Sequence, residues 1–280
     1  MINLFGGSGF IGTSFKEKYE CIANERNDLV PQLASGVSDI LYLISTVDNY
    51  NLKTNPYVDI DTNLTTLIRV LENFRQLNKP KVVFNFASSW FVYGDTDLPA
   101  RESSYCDPKG FYSITKRAAE QLLISYCETY NLKYRILRFA NVLGPGDKKA
   151  SKKKNALTYM IDRLKRNEEI NLYDGGNFFR DYIHVSDLCY AVRTVMQRGD
   201  VNEIYNIGNG KPILFKDIIE YAYEKSESNS KINFIEQPDF HKLVQVQSMY
   251  MDNTKIRSLG YSPIFSINTI VNQLLDENIT

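Results

Sequence analysis

The sequence predicts an α/β fold: a doubly wound parallel sheet, shortened in its N-terminal half, with a smaller mixed α/β layer towards the C-terminus. Two observations predict it. Short apolar runs alternate with helix-forming stretches along most of the chain, the pattern of strand–helix–strand units around a parallel sheet. The first run, residues 2–5, passes directly into Gly6-Gly7-Ser8-Gly9-Phe10-Ile11-Gly12, a glycine turn between a strand and a helix.

Residues 2–5 are apolar throughout, as in a strand buried on both faces. Behind them Gly6, Gly9 and Gly12 have the spacing G-x-x-G-x-x-G. Glycine permits the tight turn, lets backbone N–H groups approach a pyrophosphate and lets the helix pack closely on the strand. The helix N-terminus favours the same anion. The stretch therefore reads as a Rossmann-type dinucleotide site, with Gly6, Gly9, Phe10, Ile11 and Gly12 against the cofactor. A second strand is expected over 19–23, ending at Asn24-Glu25-Arg26-Asn27-Asp28. Glu25 suits the ribose hydroxyls of NAD and Arg26 the 2′-phosphate of NADP; a plain solvated turn suits both. Only about ten residues separate this turn from the next strand, 40–44, too few for the extra strand and helix of a complete half. The adenine pocket is expected to be open.

Asp61 or Thr62 can cap a helix carrying Leu64, Leu67, Ile68, Leu71 and Phe74. Pro80 stops it before a central strand, 81–86. Ligand contacts gather beyond the C-terminal ends of parallel strands, which places Ser45, Phe86 and Ala87 beside the cofactor. Ser88 and Ser89 stand at the same end. The helix that follows reads KGFYSITKRAAE over 109–120. Tyr112 and Lys116 are four residues apart, so they share one helical face. A free tyrosine, with a pKa of about 10, is a poor base at neutral pH. An ammonium nearby lowers that value and makes the pair a tuned acid/base. A Ser89 or Ser88 hydroxyl can meet Tyr112 there.

A strand over 134–139 leads to the loop 140–146. Next come a helix over 155–165, a strand over 171–173 and the segment around Arg180, a side chain suited to a bidentate phosphate or carboxylate contact. Ser186 or Asp187 caps a further helix, and 204–207 is a strand. Helices over 215–226 and 266–276 and a strand over 232–236 close the chain. We read 1–146, with return segments near 178–210, as the NAD(P)-binding domain, and 147–280 as mainly substrate-binding.

Lys+Arg and Asp+Glu number 33 each, so no global field recruits nucleic acid or an anionic membrane. Lys148, Lys149, Lys152, Lys153 and Lys154 form a basic run, read as a solvated loop, with a loop near a phosphate-bearing ligand as the alternative. The four cysteines have no Cys-x-x-Cys spacing, and with the two histidines they make no usual zinc site. They read as free thiols of a reducing cytoplasm. The opening residues lack the features of a signal peptide, and no apolar run is long enough to span a bilayer. A cytoplasmic protein without metal is expected.

Five stretches together carry a family resemblance: GGSGFIG at 6–12, SSWFVYG at 88–94, YSITK at 112–116, LRFANVLGPG at 137–146 and FRDYIHVSDL at 179–188. In these the chain resembles the extended short-chain dehydrogenase/reductases, in their NAD(P)-dependent nucleotide-sugar epimerase/dehydratase branch. The resemblance covers nearly the whole length. It implies Ser89, Tyr112 and Lys116 as catalytic residues, with Tyr112 and Lys116 also against the cofactor and Lys116 on its nicotinamide ribose. It also implies Asn63, Ser89, Asn141, Asn155 and Arg180 on a nucleoside-diphosphate sugar, and a homodimer packed through the helix of Tyr112; Ala118, Ala119, Leu122 and Tyr126 suit such a packed face, and a monomer core would use the same pattern.

The implied chemistry is hydride transfer at C4 of the sugar, with Tyr112 moving the proton. Two departures narrow it. Trp90 and Phe91 stand where 4,6-dehydratases have Asp-Glu, which argues against dehydration. Val244-Gln245 replaces the usual Gly-Asp ahead of Asp252 and Lys255. An epimerase retains its cofactor through the cycle, whereas a reductase exchanges it, and the trimmed adenosine end leans towards exchange. The leading expectation is reduction of a 4-keto-6-deoxy sugar nucleotide. The alternatives are a nucleotide-sugar 4-epimerase and, from a different class, a non-catalytic dinucleotide sensor.

Overall fold

The computed structural model describes residues 1–47, 49–147 and 155–277; the basic run at 148–154 lies outside them. The first part of the chain runs β1 (Ile2–Phe5), α1 (Phe10–Lys18), β2 (Cys21–Ala23), β3 (Asp39–Tyr42), a 3-10 turn (Asn49–Lys53), α2 (Tyr57–Ile60), a π-helical turn (Asp61–Thr65), α3 (Thr66–Gln76), β4 (Val83–Ser89), a 3-10 turn (Trp90–Tyr93), α4 (Phe111–Thr129) and β5 (Lys133–Phe139). Then come β6 (Asn141–Leu143), α5 (Ala156–Lys165), β7 (Ile170–Tyr173), β8 (Phe179–Arg180), β9 (Tyr182–His184), α6 (Val185–Arg198) and β10 (Glu203–Ile207). The remainder is β11 (Ile213–Leu214), α7 (Phe215–Lys225), β12 (Ile232–Ile235), α8 (Asp239–Val244), α9 (Thr254–Ser258) and α10 (Ile267–Asp276).

Six strands form one sheet in the order β2-β1-β3-β4-β5-β10, and every neighbouring pair is parallel. From β1 the chain goes to β2 on one side and to β3 on the other. That reversal opens a crevice at the C-terminal strand ends, the usual ligand position of such sheets. Helices cover both faces. Leu67, Val70, Leu71 and Phe74 of α3, spaced to share one face, pack with Leu123 of α4 on Ile40, Phe84 and Ile136. On the other face Phe15 of α1 and Leu188, Val192 and Val195 of α6 cover Leu4, Leu137 and Ile207. A third core joins α5, α7 and α10 to β7. The small paired strands β6–β9, β8–β11 and β7–β12 flank it.

Between β2 and β3 the chain contains no helix or strand, so the N-terminal half is shortened as expected. The side chain of Asn3, buried within β1, holds what remains. It donates to Ile22 O at 3.0 Å and Asn24 Oδ1 at 2.7 Å, and accepts from the Gln32 N–H at 3.1 Å.

Several local expectations are corrected. Helical structure before α3 begins at Tyr57 rather than at a cap on Asp61 or Thr62, because the π turn continues it. Strand β4 runs on to Ser89. The loop after β5 contains β6, paired with β9. Helix α6 is capped by His184, whose Nδ1 accepts from the Ser186 N–H at 3.1 Å. Asp187 instead accepts from the Ile264 and Phe265 N–H groups. Ala119, expected on a dimer face, lies in the core, and Tyr126 donates its hydroxyl to Glu72 at 2.5 Å. Among the described residues no helix is long and apolar enough to cross a membrane.

Candidate active site

A cleft of about 1120 Å³ runs over the C-terminal ends of the strands. That exceeds the roughly 300–1,000 Å³ of a pocket for one small ligand and suits two ligands side by side. Gly6, Gly9, Phe10, Ile11 and Gly12 line one end, Ser45, Ala87, Ser89, Tyr112 and Lys116 the middle, and Asn141, Asn155 and Arg180 the other side.

The glycine turn fits a dinucleotide. Gly6 has φ +81°, a conformation side chains resist, and its carbonyl accepts from the Gly9 N–H at 3.1 Å. A Cβ on Gly12 would run into the Gly6 carbonyl oxygen and lie 2.7 Å from the Gly7 Cα. Helix α1 has neither a side-chain cap nor an acid in its first turn, which leaves its N-terminal amides available to an anion.

The centre of the cleft is built on α4. Tyr112 and Lys116, 8% and 2% exposed, lie one turn apart beside the end of β4. Lys116 Nζ donates to the Ala87 carbonyl at 2.5 Å and sits 4.3 Å from the centre of the Phe86 ring. Burial pushes its pKa down to about 7, against the opposing pull of the Glu120 carboxylate. Phe86, expected on the cofactor, thus backs the ammonium and is absent from the cleft lining. The two serines separate. Both line the cleft with Tyr112, but Ser88 donates to Glu120 Oε1 at 2.6 Å, whereas Ser89 accepts from the Phe91 N–H at 3.3 Å.

Behind the cleft rather than in its lining stands Glu120, a carboxylate to which the sequence assigned no role. Fully buried, it accepts from Arg138 at 2.8 and 3.0 Å and from Arg117 at 2.8 Å, besides Ser88. Burial alone would raise its pKa; the hydrogen bonds and charge of Arg138, with Ser88 and Arg117, outweigh that and hold it below the usual carboxylate range. The signal was present: residues 112, 116 and 120 lie on one helical face.

Other expected contacts are redistributed. Asn63 does not line the cleft. Its Oδ1 accepts from the Thr46 N–H at 3.0 Å and Ser45 Oγ at 3.1 Å, and its Nδ2 donates to Thr46 Oγ1 at 2.8 Å and Thr115 Oγ1 at 2.9 Å. It ties the loop after β3 to α4 because the π turn aims it inward. Glu25 and Arg26 are exposed and stand outside the lining, since the truncated half provides no wall around them. Arg180 lines the cleft, but its guanidinium donates to the carbonyls of Phe179, Gln247 and Val246 at 2.9, 2.5 and 2.8 Å. Asn141 donates through its side chain to the Asp181 carbonyl at 3.0 Å. Asn155, with φ +55°, donates to Asp147 at 3.0 Å.

The far wall was not foreseen. Tyr50 OH and His241 Nδ1 are 2.8 Å apart although 191 residues separate them in the chain. Asn49 donates to the Val244 carbonyl at 3.1 Å and accepts from Ser113 at 3.3 Å. The turn after β3 and helix α8 thereby meet at the cleft beside α4. His241 is held below the ordinary histidine range by burial and by the charge of Arg180.

The profile of the NAD dependent epimerase/dehydratase family matches residues 19–208. The chain belongs to this family. A putative UDP-glucose 4-epimerase of Methanocaldococcus jannaschii is 26% identical over all of both chains. A dTDP-4-dehydro-6-deoxyglucose reductase of Escherichia coli is 24% identical over 85% of this chain and 74% of its own. The structure of RMD from Pseudomonas aeruginosa complexed with NADPH superposes with a TM-score of 0.82 at 20% identity, covering 98% of this chain and 97% of that one. The family is NAD(P)-dependent and acts on nucleotide sugars, with epimerases, dehydratases and reductases among its members.

Proposed function

We propose that this chain reduces the C4 ketone of a nucleoside-diphosphate 4-keto-6-deoxy sugar, with NADPH as the exchanged reductant. The reading rests on the contrast between a buried set of Ser89, Tyr112 and Lys116 and an adenosine end left open around Glu25 and Arg26. A reductase releases its spent cofactor each turnover, and an open end suits release. The glycine turn and the first turn of α1 hold the pyrophosphate, and Lys116 the nicotinamide ribose. A reduced nicotinamide, when bound, supplies the hydride to C4.

The residues of the chain do the rest. Tyr112 gives its phenolic proton to the ketone oxygen as that oxygen gains charge. The Lys116 ammonium stabilises the phenolate left behind. The Ser89 hydroxyl donates to the same oxygen. Asn141, Asn155 and Arg180, the last through the N–H groups it does not give to backbone carbonyls, line the side of the cleft that would take the diphosphate, so that binding remote from C4 positions the reacting carbon. Trp90 and Phe91 supply no acid or base where 4,6-dehydratases have Asp-Glu, which argues against elimination of water.

A 4-epimerase is the second reading, favoured by the full-length likeness to a putative UDP-glucose 4-epimerase. Purified protein separates the two. Stoichiometric oxidation of added NADPH by a 4-keto-6-deoxy sugar nucleotide is expected. Interconversion of C4 epimers without added cofactor would replace the first reading by the second. We also propose a homodimer through the exposed Ile114 and Leu122 of α4, for which sedimentation should give twice the 32.2 kDa chain mass.

A further inference from the structure

Two aromatic rings that the proposed proton and hydride transfers do not use stand beside Tyr112. The hydrogen bond from the Phe91 N–H to Ser89 Oγ sets the turn that carries them. Trp90 stacks on Phe91, with ring centres 3.9 Å apart and planes 23° apart. Phe91 meets the Tyr112 ring edge-on at 5.8 Å and 83°. The Arg180 guanidinium lies 5.5 Å from the Trp90 ring, fixed by its three backbone carbonyls. Trp90 is 4% exposed, Phe91 is half-buried, and both line the cleft. The wall is therefore packed and positioned.

We propose that Trp90 and Phe91 are the specificity element of this cleft. They seat an apolar substituent on the carbon next to the reacting one, and so select 6-deoxy sugars over 6-hydroxyl and 6-carboxylate counterparts. The inference rests on the nucleotide-sugar reading given above. The two side chains together offer one donor, the indole N–H, and no acceptor, acid or base. In a pyranose, C4 is flanked by C3, which carries a hydroxyl or amine, and by C5, which carries C6. Of the usual substituents at these positions, the C6 methyl alone presents no polar atom to such a wall. A primary hydroxyl there loses the acceptor its proton has in water, and a carboxylate loses more. An apolar seat of this kind disfavours one added hydroxyl by roughly 10- to 100-fold.

Trp90 is the sole tryptophan of the chain, so fluorescence excited selectively in tryptophan, beyond the absorption of the tyrosines, reports from the wall itself. The test titrates the NADP⁺-saturated protein with UDP-glucose, UDP-6-deoxyglucose and UDP-glucuronate, and with dTDP-glucose and dTDP-6-deoxyglucose. Binding is read by Trp90 fluorescence and by calorimetry, neither of which requires turnover. The 6-deoxy member of a pair should bind roughly 10- to 100-fold more tightly, and Phe91→Ser should shrink the gap to about threefold or less. Phe91→Tyr keeps the ring while adding a hydroxyl to the seat; it should narrow the gap too, and it carries the test if Phe91→Ser does not fold. Equal affinities in the native protein, or an unchanged gap in the folded variants, would overturn the seat and leave the C4 chemistry standing. Failure of every nucleotide sugar to bind would overturn the nucleotide-sugar reading and the seat with it.

Discussion

The two ends of the cleft are built differently. At the reaction end, Tyr112, Lys116, Ser88, Ser89 and Glu120 are all buried, and Lys116, Ser88, Ser89 and Glu120 are tied by hydrogen bonds to their surroundings. Beyond the glycine end, where the proposed cofactor would carry its adenosine, a three-residue strand leads into irregular chain, and Glu25 and Arg26 lie in solvent outside the cleft lining. The glycine turn stands between, shaped for a pyrophosphate whichever dinucleotide carries it. Under the proposed reductase reading, this difference corresponds to fixed reacting groups and a cofactor that comes and goes.

The largest expected effect breaks the reaction end alone. Tyr112→Phe should lower turnover by about 10²- to 10⁴-fold, the usual contribution of a positioned acid, while NADPH affinity measured by fluorescence stays unchanged. Loss of both together would show that the two ends are not separable. If turnover survived intact, Tyr112 would not be the acid of the reaction.

Next in size is the buried ion pair behind the site. Glu120→Gln leaves the Arg138 guanidinium, 1% exposed, without its partner. Removing one member of such a pair costs about 3–5 kcal/mol, readable in urea unfolding. An equally large loss on removing exposed Glu25 would erase the contrast between the ends.

Lys116 gives a smaller effect with a definite sign. Its folded pKa of about 7 lies below the ordinary 10.5. Between these values the unfolded chain holds a proton that the folded chain lacks, so stability rises with pH through that window and is lost as pH falls through about 7. Relative to Lys116→Met, the cofactor-free protein should gain roughly 2–3 kcal/mol between pH 7 and pH 9. A flat difference would mean that the ammonium is not desolvated.

The smallest effect belongs to the open end. Arg26→Ala should weaken NADPH binding about fivefold and leave NADH unchanged, since an exposed charge contributes at most about 1 kcal/mol. Equal weakening of both cofactors would remove Arg26 from the choice between them.

The legible features were those with a local cause. The glycine spacing at 6–12 and the Tyr112–Lys116 helix follow from rules spanning a few residues, and the cleft brings both together. The trimmed half was visible as too short a stretch of chain between two strands. What escaped depended on distant partners or on one extra residue. The π turn that carries Asn63 redirects its side chain from the cleft to Thr46 and Thr115, and nothing in the residues 61–65 announces that turn. The meeting of Tyr50 with His241 joins segments with no shared local pattern. Arg180 sits where its motif predicts, yet its donors go to backbone carbonyls contributed partly by residues 246 and 247.

The fate of a labelled hydride tests the central claim most directly. The protein is supplied with a 4-keto-6-deoxy sugar nucleotide and NADPH deuterated at the transferring position of its nicotinamide, and the product is analysed by NMR. One deuterium at C4 of the sugar for each NADPH oxidised is the predicted result. Ketone and NADPH both left unspent, while a 4-hydroxy nucleotide sugar supplied without added cofactor is converted to its C4 epimer, would contradict the account.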